Sequence, residues 1–275
     1  SVPLEPSVPL DELVRPENPC GTGVLVLSGS SGALESERAA VLAGTGAVAL
    51  ALRWFGGPGQ QPGPFEVPLE LFFAALDRLA RECDRLAVLG SSFGAEAALL
   101  VATHDQRVDA VVGFAPSPVV WAGYDERSDP PRETSHWTLG GRPLPFVPVD
   151  PDWRPDREPP AYRSQYASSL GSARDDAWIP VERIRGEVVL AGGGDDQVWP
   201  GADFARLVAE RRARQGLHTT VVTQPEAGHR VVLPGEQPFV RGQVMARGGS
   251  AEADASFGAA VWPAVLAALG ADHRA

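Results

Sequence analysis

The chain has 275 residues, a formal charge of −11 and 44% hydrophobic side chains. That length buries one good-sized core, and the acidic balance excludes nucleic acid and anionic membranes as partners, since both need a basic surface. All 24 basic residues are arginine, which removes Schiff-base, P-loop-lysine and Tyr-x-x-x-Lys chemistry. Cys20 and Cys83 lack Cys-x-x-Cys or Cys/His metal spacing and read as free thiols of a reducing compartment. With no run of about 18 apolar residues and no signal-peptide pattern at the start, the reading is a cytoplasmic protein that needs no metal or cofactor.

Residues 1–22 are rich in proline and read as an extended arm, with one edge strand near Ser7 to Leu10. Gly23 to Ser28 is a continuous apolar run, as in a strand buried on both faces, and it empties into Gly29-Ser30-Ser31-Gly32 before a helix from about Leu34 to Ala43. The loop lacks G-x-G-x-x-G spacing, and the next strand, Ala47 to Arg53, ends in Arg53-Trp54 where a ribose-binding acid would be expected. The competing use of such a loop is to supply a backbone N–H to an oxyanion, from Ser30 or, second choice, Ser31. After a Pro/Gly/Gln loop, apolar residues at helical spacing run from Leu69 to Cys83.

Arg85 to Leu89 is a short buried strand and Ala95 to Ala102 a strong helix former. Between them lies Gly90-Ser91-Ser92-Phe93-Gly94, a G-x-S-x-G match that puts Ser92 on a sharp strand-to-helix turn, its hydroxyl lifted clear of the sheet. Val108 to Phe114 is the next strand. From about Ala115 to Ile179 the pattern breaks into a stretch dense in Pro, Trp, Tyr and charge, read as an ordered lid, with a helical period only at Tyr162 to Leu170. Trp54, Trp121 and His136 are the aromatic candidates for contact with a substrate. Alternation resumes with a strand at Glu187 to Ala191, a helix at Gly201 to Gln215 and a strand at His218 to Gln224. Residues 234–255 read as a loop and Phe257 to Leu269 as the closing helix. The expected architecture is α/β, a mostly parallel sheet flanked by helices, with one domain over 23–275 and residues 115–179 inserted as the lid.

A serine alkoxide is inaccessible at neutral pH unless a histidine takes its proton and a carboxylate orients that histidine. Ser92, Asp195 and His229 follow successive strands in the order nucleophile, acid, base, which is the order of the α/β-hydrolase fold. In the turn Gly192 to Val198 both Asp195 and Asp196 compete for the acid role; the Gly-x-x-Asp-x-x-Val register favours Asp195. The oxyanion donors would be the N–H groups of Phe93 and Ser30. His104, His218 and His273 read as structural or solvated.

The chain resembles the C-terminal catalytic domain of the acyl-CoA thioesterase and bile acid-CoA:amino acid N-acyltransferase family. The resemblance rests on Gly32-Ala-Leu-Glu-Ser-Glu-Arg-Ala39, Gly90 to Gly94, Ile179-Pro-Val-Glu182, Gly194-Asp195-Asp196-Gln197-Val-Trp-Pro200 and Ala227-Gly-His229. It implies an α/β-hydrolase that cleaves acyl thioesters through a covalent acyl-enzyme, with Ser92, Asp195 and His229 as the triad. Family members that transfer the acyl group to an amino acid characteristically carry cysteine at the nucleophile position, so Ser92 points to hydrolysis. The family's two-domain members carry an N-terminal β-sandwich, which 22 residues cannot form, so the expectation is a catalytic domain standing alone. The substrate expected is a small-molecule acyl thioester or ester, on CoA or on an acyl carrier protein. The rival readings are an acyltransferase or cyclase, in which an amine or alcohol resolves the acyl-enzyme, and a ligand-binding homologue without catalysis.

Overall fold

The computed structural model describes residues 9–238 and 242–271. In chain order its elements are β1 (Asp11–Val14), β2 (Thr22–Leu27), α1 (Ser36–Ala43), β3 (Val48–Leu52), β4 (Val67–Pro68), α2 (Glu70–Ala80), β5 (Arg85–Ser91), α3 (Phe93–His104) and β6 (Val108–Phe114). There follow β7 (Ala122–Asp125), β8 (Arg132–Ser135), β9 (Trp137–Leu139), β10 (Arg142–Pro143), α4 (Arg163–Ser169), β11 (Glu187–Gly193), α5 (Gly201–Ala213), β12 (Thr220–Gln224) and α6 (Ala251–Ala268).

Among the described residues, seven strands form the main sheet in the order β1-β3-β2-β5-β6-β11-β12. All neighbours run parallel except β1, which pairs antiparallel with β3. The side-chain period of two divides every central strand between two cores. Leu25 and Leu27, Leu50 and Leu52, Leu86 and Val88, and Val188 and Leu190 face α2, α3 and α5. Val24 and Val26, Ala49 and Ala51, Ala87 and Leu89, and Val189 and Ala191 face α1 and α6. Strands clad on both sides need no polar face, hence the continuous apolar runs; each buried Leu, Val or Phe contributes about 1.5–3 kcal/mol.

Three expectations from sequence shift. The edge strand of the arm lies at Asp11–Val14, where Asp11 pairs with Leu52 and Val14 with Ala49; Ser7 and Val8 of the expected strand, like His273, lie outside the described residues. The closing helix starts at Ala251, inside the expected loop, because Ser250 caps it: its Oγ accepts the Ala253 N–H at 3.1 Å and Glu252 and Asp254 complement the helix N-terminus. Residues 115–179 hold α4 within the expected Tyr162 to Leu170, but Ala122 to Pro143 fold as short strands with too few residues for any period. Here β7 and β8 form an antiparallel pair, and β9 lies between β10 and β4. Val119, Trp121, Val147 and Ala177 pack against Trp199 and Phe204 as a small core of their own.

Candidate active site

β5 stops at Ser91 and α3 begins at Phe93, so Ser92 makes the turn alone, at φ 58° and ψ −120°. A non-glycine residue held there costs about 1–3 kcal/mol and persists only where its surroundings over-determine it. Here they do. A Cβ on Gly90 would overlap the Gly94 carbonyl, and one on Gly94 would overlap the Ser28 carbonyl, so both glycines are needed for β5, α3 and the end of β2 to close on one another. The Ser92 N–H is tied to the Phe114 carbonyl at the end of β6 (2.8 Å).

The serine hydroxyl stands 2.9 Å from His229 Nε2. His229 Nδ1 lies 2.8 Å from Asp196 Oδ2. A carboxylate can only accept, so Nδ1 carries the proton and donates it, which leaves the Nε2 lone pair to accept the Ser92 hydroxyl. Asp196 is wholly buried, and its other oxygen accepts the N–H groups of Val198 (2.9 Å) and Trp199 (3.2 Å). The side of His229 is covered by the Trp199 indole, with ring centroids 5.9 Å apart and near perpendicular. The His229 N–H donates to the Arg247 carbonyl (2.9 Å) and the preceding Gly228 N–H to Asp254 (2.9 Å), fixing the loop after β12.

The carboxylate beside His229 is thus that of Asp196 and not that of Asp195, the residue expected there. Asp195 is exposed and faces the other way, its carboxylate accepting the Gly249 N–H (2.7 Å) and the Gln197 amide (3.1 Å). The backbone decides this: the Asp195 N–H pairs with the Ala227 carbonyl, which turns its side chain away from His229 and brings the next one in.

Ser92 and His229 open onto a cavity of about 1300 Å³, also lined by Ser30, Ser31, Phe93 and His136. The Gly29 backbone passes so close that a Cβ there would sit 3.0 Å from Ser92 Cβ, which brings the loop of Ser30 against the nucleophile position. Phe93 is the first residue of α3, where N–H groups have no intrahelical carbonyl to pair with. Trp54 and Trp121, the other two aromatic candidates, are core residues. Trp54 is 1% exposed and donates its indole N–H to the Ser28 carbonyl (2.9 Å). Trp121 is wholly buried against Tyr166 and Phe204.

Two charged groups behind the site escaped the sequence reading. Arg38 of α1 holds Glu236 through two bonds of 2.9 Å, the Ser91 hydroxyl at 2.9 Å and the Val231 carbonyl at 2.8 Å. It thereby clamps the chain after His229 to the elbow. Glu96 of α3 is fully buried, and one of its oxygens accepts from Trp137 Nε1 and from His136 Nδ1 (2.9 Å). The single signal for Glu96 is an acid in an otherwise apolar helix.

Burial pushes the Cys83 thiol up to about 11, which suits packing and not reactivity. Among the described residues no three His, Cys, Asp or Glu side chains are grouped to hold a metal ion, and no helix is long and apolar enough to cross a membrane.

The fold is that of an α/β-hydrolase, with a strand, a sharp turn at Ser92 and a helix at its centre. Among solved structures, the chain is similar to a putative dienelactone hydrolase from Klebsiella pneumoniae subsp. pneumoniae (17% identity, TM-score 0.56, covering 94% of this chain and 92% of that one). It is also similar to a dienelactone hydrolase-like promiscuous phosphotriesterase from metagenomic libraries (17% identity, TM-score 0.52, covering 94% and 91%). The chain belongs to the family described as BAAT / Acyl-CoA thioester hydrolase C terminal, whose profile matches residues 67–270. A relative, acyl-coenzyme A thioesterase 6 of Mus musculus, is 26% identical over 251 residues, which cover 84% of this chain and 55% of that protein. The chain thus spans about half the length of the curated relative it matches.

Proposed function

We propose that this chain is a serine hydrolase of acyl thioesters or related esters that works through a covalent acyl-enzyme on Ser92. The observation that carries the reading is the unbroken line from Ser92 Oγ through His229 to the buried carboxylate of Asp196, with spacings of 2.9 and 2.8 Å, on a residue at φ 58°. Membership of a thioester-hydrolase family supports the choice of bond, and the murine relative supports acyl-CoA as one leaving-group class, beside a carrier-protein thioester.

In the first half-reaction Ser92 Oγ attacks the acyl carbonyl as its proton passes to His229 Nε2. The imidazolium is stabilised by Asp196, which remains ionised. The carbonyl oxygen gains the negative charge and is received by the N–H groups of Phe93 and Ser30, each such donor being worth about 3 kcal/mol in the transition state. The C–S or C–O bond then breaks, and His229 returns its proton to the leaving thiol or alcohol. Water enters, gives a proton to Nε2 and attacks the acyl-Ser92 carbonyl; collapse releases the acid and restores the Ser92 hydroxyl.

The test is release of free thiol from a panel of acyl-CoA and acyl-N-acetylcysteamine thioesters, by the wild-type protein and by Ser92→Ala. Turnover that vanishes in the variant while its thermal melt is unchanged supports the reading. Wild-type turnover by Ser92→Ala overturns it.

A further inference from the structure

Two histidines, each backed by a buried carboxylate, line the same cavity, and the reaction just described uses only His229 with Asp196. Behind the second, Glu96 Oε2 lies 2.9 Å from His136 Nδ1 and also accepts from Trp137 Nε1, a group that can only donate. The Trp121 N–H approaches the same oxygen at 3.4 Å. An oxygen already accepting from an indole accepts from Nδ1 as well, so His136 carries a proton on Nδ1, and in the neutral ring Nε2 is the acceptor. His136 is 1% exposed yet lines the cavity, and no protein group among the described residues hydrogen-bonds its Nε2. Its ring packs against Phe93, the residue after Ser92, with centroids 4.2 Å apart and planes tilted by 54°, and its Cδ2 edge faces Gly123, where a Cβ would approach it to 3.0 Å.

With no protein partner, this nitrogen is open to whatever fills the cavity, and a ligand with no donor to offer would strand it. A histidine needed only to fill space at this point would be replaced more cheaply by an apolar ring, and no carboxylate would then have to be buried behind it. Among the described residues Glu96 Oε1 has no partner, so burying this carboxylate carries a penalty that the fold retains.

We infer that His136, oriented by Glu96, is a substrate-recognition residue whose Nε2 accepts a hydrogen bond from a hydroxyl or amine on the acyl group, so that the enzyme favours hydroxyacyl or aminoacyl thioesters over plain acyl ones. The inference rests on the hydrolase reading above and names the acyl class for that same site. A site that hydrogen-bonds a substrate hydroxyl discriminates against the analogue lacking it, because its own polar group is then stranded. For one neutral bond the ratio of kcat/KM values is about tenfold.

The experiment compares butanoyl, 2-hydroxybutanoyl, 3-hydroxybutanoyl and 2-aminobutanoyl N-acetylcysteamine thioesters with wild-type, His136→Phe and His136→Gln proteins. The expected result is a preference of about tenfold in the wild type for at least one hydroxyacyl or aminoacyl member over butanoyl, falling to near one in His136→Phe. The Gln variant keeps an acceptor oxygen at the site and should retain part of the preference that the Phe variant loses. No preference in the wild type, or a preference undiminished in folded His136→Phe, overturns the inference. The same thioesters titrated calorimetrically into Ser92→Ala protein read the contact without turnover. Selective binding with no wild-type hydrolysis of any member would reject the hydrolase reading and keep the recognition role. Hydrolysis without selectivity would do the reverse.

Discussion

Replacing Asp196 by asparagine isolates what the buried carboxylate does. Asp196 accepts from Val198 and Trp199 with one oxygen and from His229 Nδ1 with the other. Asparagine has a single oxygen, and the two fixed backbone donors hold it, so its NH2 group turns toward His229. A donor there forces Nδ1 to accept, places the imidazole proton on Nε2 and leaves nothing to take the proton of Ser92. The geometry survives and the tautomer is wrong, a change that costs about 10⁴-fold in kcat in serine enzymes of this type. By contrast Asp195→Asn keeps an oxygen for the Gly249 N–H on an exposed turn and should leave kcat within about threefold, in keeping with the small effect of surface substitutions. The assay is kcat on one acyl thioester for both variants, with thermal melts confirming that each is folded. Collapse of activity in Asp195→Asn with near-normal turnover in Asp196→Asn would refute the assignment.

Other perturbations test the scaffold. Gly94→Ala puts a methyl group onto the Ser28 carbonyl and must move α3 against β2, so kcat should fall about 100-fold with a lowered melting temperature; an unchanged enzyme would show that the elbow tolerates slack. Arg38→Met strands Glu236 in a site where both side chains are less than a tenth exposed, and urea unfolding should register a loss of about 3–5 kcal/mol, with a loss below 1 kcal/mol counting against the clamp. Hydrogen bonds from Arg211 hold the Glu182 carboxyl below the usual carboxylate range. A depressed carboxyl pKa stabilises the fold above the unfolded value and loses that contribution as pH falls through the folded one. Glu182→Gln should therefore cost about 1 kcal/mol at pH 7 and much less near pH 3, by melts at both; a pH-independent difference would refute the linkage.

The centre of the sheet was legible because its inner strands are clad on both faces, and no polar residue interrupts runs such as Val24 to Leu27 or Val88 to Leu89. The elbow was legible because G-x-S-x-G between an apolar strand and a helix former leaves one way to make the turn. The choice between Asp195 and Asp196 was not, since adjacent residues on a turn point to opposite sides and the deciding bond, from Asp195 N–H to Ala227, joins segments far apart in sequence. The small sheets of residues 115–179 were hidden for a related reason. Strands of two to four residues carry no period, and β4 finds its partner in β9 about seventy residues on. Glu96 was visible as an acid among alanines and leucines, but its partners His136 and Trp137 come from that inserted segment.

The most direct test of the account is the mass of the intact protein after brief exposure to a fluorophosphonate probe and, separately, to an acyl thioester. The account predicts a single adduct of the probe or acyl mass, mapped to Ser92 by peptide sequencing and absent from Ser92→Ala. Thioester turnover with no adduct on Ser92, or with the adduct on another residue, would contradict it.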